Sequence, residues 1–157
     1  MKKEILLFFA AILMFSCTSD PLKDWKKVDL NPYQANVVIL APDSAVVVAD
    51  DLGIVKDITI IKAPDYSVQL FVNESSNPDL AALKKSQLEE VKGNRLFSKI
   101  IEEKDDGFIY ENKIDDKTTS YGFRYFFQKD GKDYVFQQGL SDIFTLDEVR
   151  NMYLGVQ

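Results

Sequence analysis

Few side chains in this 157-residue sequence can do chemistry, because it contains no histidine and a single cysteine, Cys17. Ser-His-Asp and Cys-His constellations and His-based zinc sites all need a residue type that is missing. The seven glycines are scattered at turn positions, so there is no loop of the kind that cradles phosphate. Two catalytic arrangements remain open. A Ser-Lys pair, such as Ser86 beside Lys85, needs a lysine whose pKa is depressed by burial, and Lys85 falls on a polar helix face. A carboxylate pair can hydrolyse a glycosidic bond if a cleft raises one of the two acids. The pairs Asp50-Asp51, Asp105-Asp106 and Asp115-Asp116 all fall in predicted turns, where carboxylates are solvated. Their spacing also lacks the alternation of a calcium loop. No catalytic residue, metal ligand or cofactor is assigned. The candidate binding groups are the hydroxyls of Tyr121, Tyr125 and Tyr134, which could meet a sugar, a peptide or a partner protein.

Cys17 ends the stretch that says most about destination. Lys2 and Lys3 form a basic head, and eleven uncharged apolar residues follow from Ile5 to Phe15. At about 1.5 Å per residue they make a helix of roughly 16 Å, against a hydrocarbon core near 30 Å. That is too short to span a bilayer and suits the apolar region of a secretory signal. Leu13 stands four residues before Cys17 and Ser16 immediately before it. The arrangement resembles a bacterial lipoprotein signal, in which a lipid is attached to the cysteine and the peptide is cut ahead of it. The resemblance implies a signal peptide over residues 1–16, palmitate-type acyl chains on Cys17, and a place in the cell envelope. That place is the periplasmic face of a bacterial membrane or the cell surface. Two other readings stay open: an ordinary secretory cleavage site, whose small-x-small pattern Met14-Phe15-Ser16 serves poorly, and an uncleaved anchor.

Cleavage before Cys17 would leave 141 residues with 17 basic against 24 acidic side chains. Such a chain repels phosphate backbones and anionic headgroups, which argues against nucleic acid and against a polybasic membrane contact. Membrane affinity would come from the lipid on Cys17, since one acyl chain alone holds only marginally. With no second cysteine, the domain cannot be stapled by a disulfide and must stand on its apolar core.

Residues 17–34 carry two prolines, several charges and no sustained periodicity, and read as a lipidated N-terminus and tether. Trp25 within it is either an interfacial anchor or a cap on the edge of the core, the second being favoured. From residue 35 the chain reads as one α+β domain running to 157. Short β-rich runs cover Asn36–Leu40, Ala45–Ala49, Asp57–Lys62 and Tyr66–Asn73. In the last of these Tyr66, Val68, Leu70 and Val72 share one face, while Phe71 interrupts the polar side. A helix follows, with Asn77 as N-cap, Pro78 in the first turn and Gly93 after the end. Its stripe of Leu80, Leu83, Leu88 and Val91 spans an arc of about 140°.

A four-strand meander comes next over Leu96–Glu103, Gly107–Ile114, Thr119–Gln128 and Lys132–Gln138. Asp106-Gly107 and Asp130-Gly131 are predicted type I′ hairpin turns. The second turn sets Phe127 opposite Tyr134 and Tyr125 opposite Phe136, so that with Tyr121 and Phe123 six aromatics share one face. Gly122 marks a bulge or a close backbone approach. A capping box of Thr145 and Glu148, with Phe144 and Val149 as a hydrophobic staple, opens a terminal helix.

This order of strands, helix, antiparallel meander and terminal helix resembles the PsbP-like α+β domains, in which helices cover a central antiparallel sheet. The resemblance implies a fold, and a role as binding module or assembly factor more often than as enzyme. The expectation is therefore a non-catalytic binding or assembly-accessory module held at a membrane through Cys17, with an envelope protein, peptide or glycan as partner. A carboxylate-dependent envelope hydrolase and a purely structural envelope lipoprotein are the alternatives.

Overall fold

A computed structural model describes residues 20–51, 55–140 and 142–157, with Asp51 described by its backbone alone. Cys17 and the stretch before it lie outside the described residues. The elements run β1 (Lys26–Asp29), β2 (Val38–Ala41), β3 (Val46–Asp51), β4 (Val55–Lys62), β5 (Tyr66–Glu74), α1 (Leu80–Lys92), β6 (Phe97–Lys104), β7 (Gly107–Lys113), β8 (Thr119–Lys129), β9 (Lys132–Gln138) and α2 (Leu146–Gly155). β1 and β2 form a small antiparallel pair, and the other seven strands form one sheet in the order β3-β4-β5-β9-β8-β7-β6. The α+β class, the antiparallel sheet and the two helices are as the sequence predicts.

The sheet joins two meanders. β3, β4 and β5 pair in sequence order, as do β6 to β9, and the last strand of the second set pairs with β5 from Val68↔Gln138 to Glu74↔Lys132. That pairing leaves the strand starting the second meander, β6, at the far edge, and α1 is the connection that carries the chain there.

Period two divides the sheet into two faces with different lids. On one face Ile58, Ile60, Val68, Leu70, Phe123 and Phe136 are buried together with Val149, Met152 and Tyr153 of α2 and with Leu30, Ile39 and Ala41 around the β1–β2 pair. On the reverse face Phe108, Tyr110, Phe126 and Val135 form a smaller core with Val91, and Leu80, Leu83 and Leu88 of α1 pack against it. The predicted stripe of α1 is thus correct, but it lies on the reverse face. The six-aromatic face is covered by α2 and the β1–β2 lobe instead.

Three local expectations are corrected. Asp79 caps α1, with an extended backbone and its side chain accepting from Ala81 N–H at 2.9 Å. Asn77 stays in the loop because its carbonyl accepts from Gln128 Nε2 at 2.7 Å and from Ser75 Oγ at 3.0 Å, which ties it to β8. The β6–β7 turn is Asp105-Asp106, since Gly107 already pairs with Lys104 as the first residue of β7. Gly107 is there for space: a Cβ would stand 2.5 Å from the Arg124 carbonyl and 2.7 Å from Tyr153 Oη. Asp130-Gly131 does adopt the expected turn, both residues having positive φ (52° and 73°).

The third correction concerns the tether. Residues 26–29 pair with β2, a 3-10 turn covers Asn31–Tyr33, and Leu30 is completely buried. Trp25 packs edge-on against Tyr66 at 5.2 Å, and a Cβ on Gly155 would come within 2.6 Å of its ring. The indole caps the edge of the core, and the packed domain begins some ten residues earlier than residue 35. Sequence periodicity could not show this, because a four-residue strand with one buried position leaves almost no pattern.

Candidate functional site

The three tyrosines singled out by sequence do not converge on one opening. Tyr134 is only 2% exposed and stacks on Phe127 with centroids 4.7 Å apart. Tyr121 is half-buried, and its backbone N–H donates to the Phe144 carbonyl at 3.1 Å. Tyr125 meets the Tyr153 ring edge-on at 6.0 Å and borders a hollow of about 420 Å³ with Asn36, Phe127 and Lys129. Burial, and then the charge of Asp106, pushes the Tyr125 phenol above its ordinary pKa. Five of the predicted aromatics on this face, Tyr121, Phe123, Tyr125, Phe127 and Tyr134, pack in the larger core around Phe136.

The acidic pairs are placed without a shared cleft. Asp50 lies at the end of β3 directly opposite Asp57, so this pair sits in a strand and not in the turn expected. Asp105-Asp106 forms the β6–β7 turn. Asp115, beyond β7, accepts from the backbone N–H groups of Lys117 and Thr118, both at 2.8 Å, which lowers its pKa. Lys85 is solvated and approaches Glu89 at 3.9 Å. Among the described residues no cluster of three or more His, Cys, Asp or Glu could hold a metal ion.

A different site emerges on the reverse face, where α1 covers only the β6–β9 half of the sheet. Beside the C-terminal turns of α1 lies a cleft of about 540 Å³ bordered by Phe71, Glu90, Tyr110, Asn112, Arg124 and Gln137. Volumes of roughly 300–1,000 Å³ are usual for small-ligand sites. Arg124 stands at its base on β8, 6% exposed, between Gly122 and Phe126 on the same face. Its guanidinium donates to Gln87 Oε1 at 3.2 Å, to Tyr110 Oη at 3.4 Å, to the Phe123 carbonyl at 3.2 Å and to Glu90 Oε1 at 3.3 Å. A buried guanidinium must spread its donors in this way or remain expensively unsatisfied. The same bonds pin α1 to the sheet.

Neutral polar groups extend the site across the strands. Gln138 Nε2 donates to Tyr110 Oη at 3.2 Å, and its Oε1 accepts from Phe123 N–H at 2.9 Å. The Tyr110 ring lies over Gly122, where a Cβ would come within 2.5 Å of it; this is the close approach that glycine was expected to mark. From Gln137 a row leads outward: its Nε2 donates to Gln69 Oε1 at 3.0 Å, and Gln69 Nε2 donates to both Asp57 oxygens at 3.0 and 2.8 Å. Phe71 on β5 forms a half-buried aromatic wall. Asn112 Oδ1 is buried and has no hydrogen-bond donor among the described residues.

Sequence reading passed over Arg124 because alternate positions of β8 read as Ser, Gly, Arg, Phe, Gln, which resembles a solvent face. The missed signal was the register of Phe126 with Val135 and of Arg124 with Phe108, which places the arginine among aromatics. Comparison with known proteins found no matching family model, no matching curated protein and no matching solved structure.

Proposed function

We propose that this chain is a lipid-anchored cell-envelope protein whose α+β domain is a non-catalytic binding or assembly-accessory module, with the cleft beside α1 as its ligand site. The anchor rests on the apolar run that ends at the sole cysteine, Cys17. Among the described residues no helix is long and apolar enough to cross a membrane. Helices on both faces of an antiparallel sheet support the PsbP-like resemblance, which carries a fold and no activity.

The observation that carries the binding role is the lining of the cleft: a buried arginine, side-chain amides, a phenol and an aromatic wall. Hydrolysis by a carboxylate pair needs two acids roughly 5–9.5 Å apart across a cleft. Among the described residues Glu90 is the one carboxylate at the border, and its side chain is 61% exposed. This lining supports a binding role over hydrolysis.

The test uses the full-length chain expressed in a bacterium and fed an alkyne-tagged palmitate. Cys17 takes the label and brings the protein into the membrane fraction; Cys17→Ala loses both. Partners or ligands that co-purify with the wild type are then compared with those of the variant. Unlabelled full-length protein with Met1 retained, recovered from the soluble fraction, would overturn the anchor; co-purification of nothing from either form would overturn the module.

A further inference from the structure

We infer that the cleft beside α1 takes a neutral, hydroxyl-rich ligand, a saccharide of roughly two rings, and not an anion or an extended peptide. The inference rests on reading the domain as a binding module and names the ligand class of that site.

Charge decides against an anion. Arg124 is the cation at the base, but Glu90 Oε1 stands 3.3 Å from it, so the pair is locally balanced. The whole sequence carries a net charge of −6. An acidic ligand would have to displace Glu90 and approach against that field. Position decides against an extended peptide, which is read by main-chain pairing at a free strand edge. The cleft lies over β8 and β9, whose edges are already paired with β7 and β5. A ligand there cannot be read by strand-edge pairing, and side chains carry most of its recognition.

The side chains present match hydroxyl groups. Asn112 Oδ1 is a buried acceptor without a donor among the described residues, a state that costs stability until a partner is found. A ligand O–H would satisfy it. Gln137 Nε2 spends one of its two N–H groups on Gln69 and Gln138 Nε2 one on Tyr110, among the described residues. A second N–H on each is available in principle to an incoming acceptor. A hydroxyl is both donor and acceptor, so one ligand chemistry answers both needs. Phe71 supplies a flat apolar surface on which the C–H face of a sugar ring can rest. The volume of about 540 Å³ leaves room for more than a single small molecule such as acetate or glycerol.

The experiment is calorimetric titration of the protein purified from the membrane fraction in detergent with five probes: chitotriose, maltotriose, cellotriose, trigalacturonic acid and trialanine. At least one neutral trisaccharide is expected to bind. Asn112→Ala and Gln137→Ala should each weaken it about tenfold, equivalent to about 1.4 kcal/mol. Val46→Ala, exposed on the edge strand β3, should leave it unchanged. Thermal melts of each variant separate lost binding from lost folding, and Phe71→Leu, which keeps apolar volume, gives a second route to the same loss. Tighter binding of trigalacturonic acid than of any neutral sugar overturns the inference. So does trialanine binding that Asn112→Ala abolishes while no sugar binds, although the module reading then survives. Silence from every probe also overturns the saccharide inference, and the co-purification experiment above judges the module independently.

Discussion

Arg124 and the tyrosines carry the predictions that belong to single residues. Arg124→Met removes a buried donor set, so that Tyr110 Oη keeps only the Gln138 donor and the Phe123 carbonyl loses its bond from the guanidinium. It should cost about 2–4 kcal/mol. Glu90→Gln should cost less than about 1 kcal/mol, because the Glu90 side chain is 61% exposed and its ion pair is screened. Denaturant midpoints of the two variants check the ratio; equal losses would mean that the arginine is held by charge and not by its hydrogen bonds. Burial pushes the phenols of Tyr66 and Tyr125 upward and that of Tyr153 up to about 12. An unfolded tyrosine ionises near pH 10, so the unfolded chain releases these protons first. The contribution of these phenols to stability should therefore be level below about pH 10 and fall as pH rises towards 12, with Tyr153→Phe losing part of the slope. Urea titrations at stepped pH would read this directly, and an identical slope in the variant would refute it.

The elements show where local signals are enough and where they are not. The capping box on α2 was legible, and the structure has both of its arms, Glu148 N–H to Thr145 Oγ1 and Thr145 N–H to Glu148 Oε2. The start of α1 was misread by two residues, since Asn77, Pro78 and Asp79 all carry helix-start character and tertiary bonds from Gln128 chose among them. Asp79→Ala should destabilise the domain by about 1 kcal/mol, while Asn77→Ala should cost only a few tenths, because the Asn77 carbonyl makes its tertiary bonds. Thermal melting of the pair distinguishes them, and a larger loss at Asn77 would restore it as the cap. The two hairpin turns make the same point. Asp130-Gly131 needs only local φ preferences, whereas Gly107 is needed by Tyr153 from a distant helix.

For the whole molecule, the two lids are the informative feature. The face under α2 and the β1–β2 lobe is closed by apolar packing, while the face under α1 is half open and polar. The strand that would be dismissed as tether helps to close the first face. Leu30→Ala should cost about 2–5 kcal/mol, as expected for a buried leucine. A residue in a free tether would cost nothing, so one equilibrium unfolding curve decides between the two. The candidate site follows from the same asymmetry: α1 is 13 residues long and cannot roof seven strands, so a cleft remains beside its end.

By itself the sequence determined the α+β class, the alternation that makes one aromatic face, the Asp130-Gly131 register, the N-terminal capping box of α2, and the expectation attached to Cys17. These depend on contacts between near neighbours or on composition, which a linear reading can see. Only the tertiary structure decided which face each helix covers, that residues 26–33 belong to the domain, and that Arg124, Asn112 and Gln137 meet in one cleft. Those facts arise from pairings between distant stretches, β9 with β5 across roughly sixty residues and β1 with β2, and period two labels the faces of a strand without saying what will lie on them.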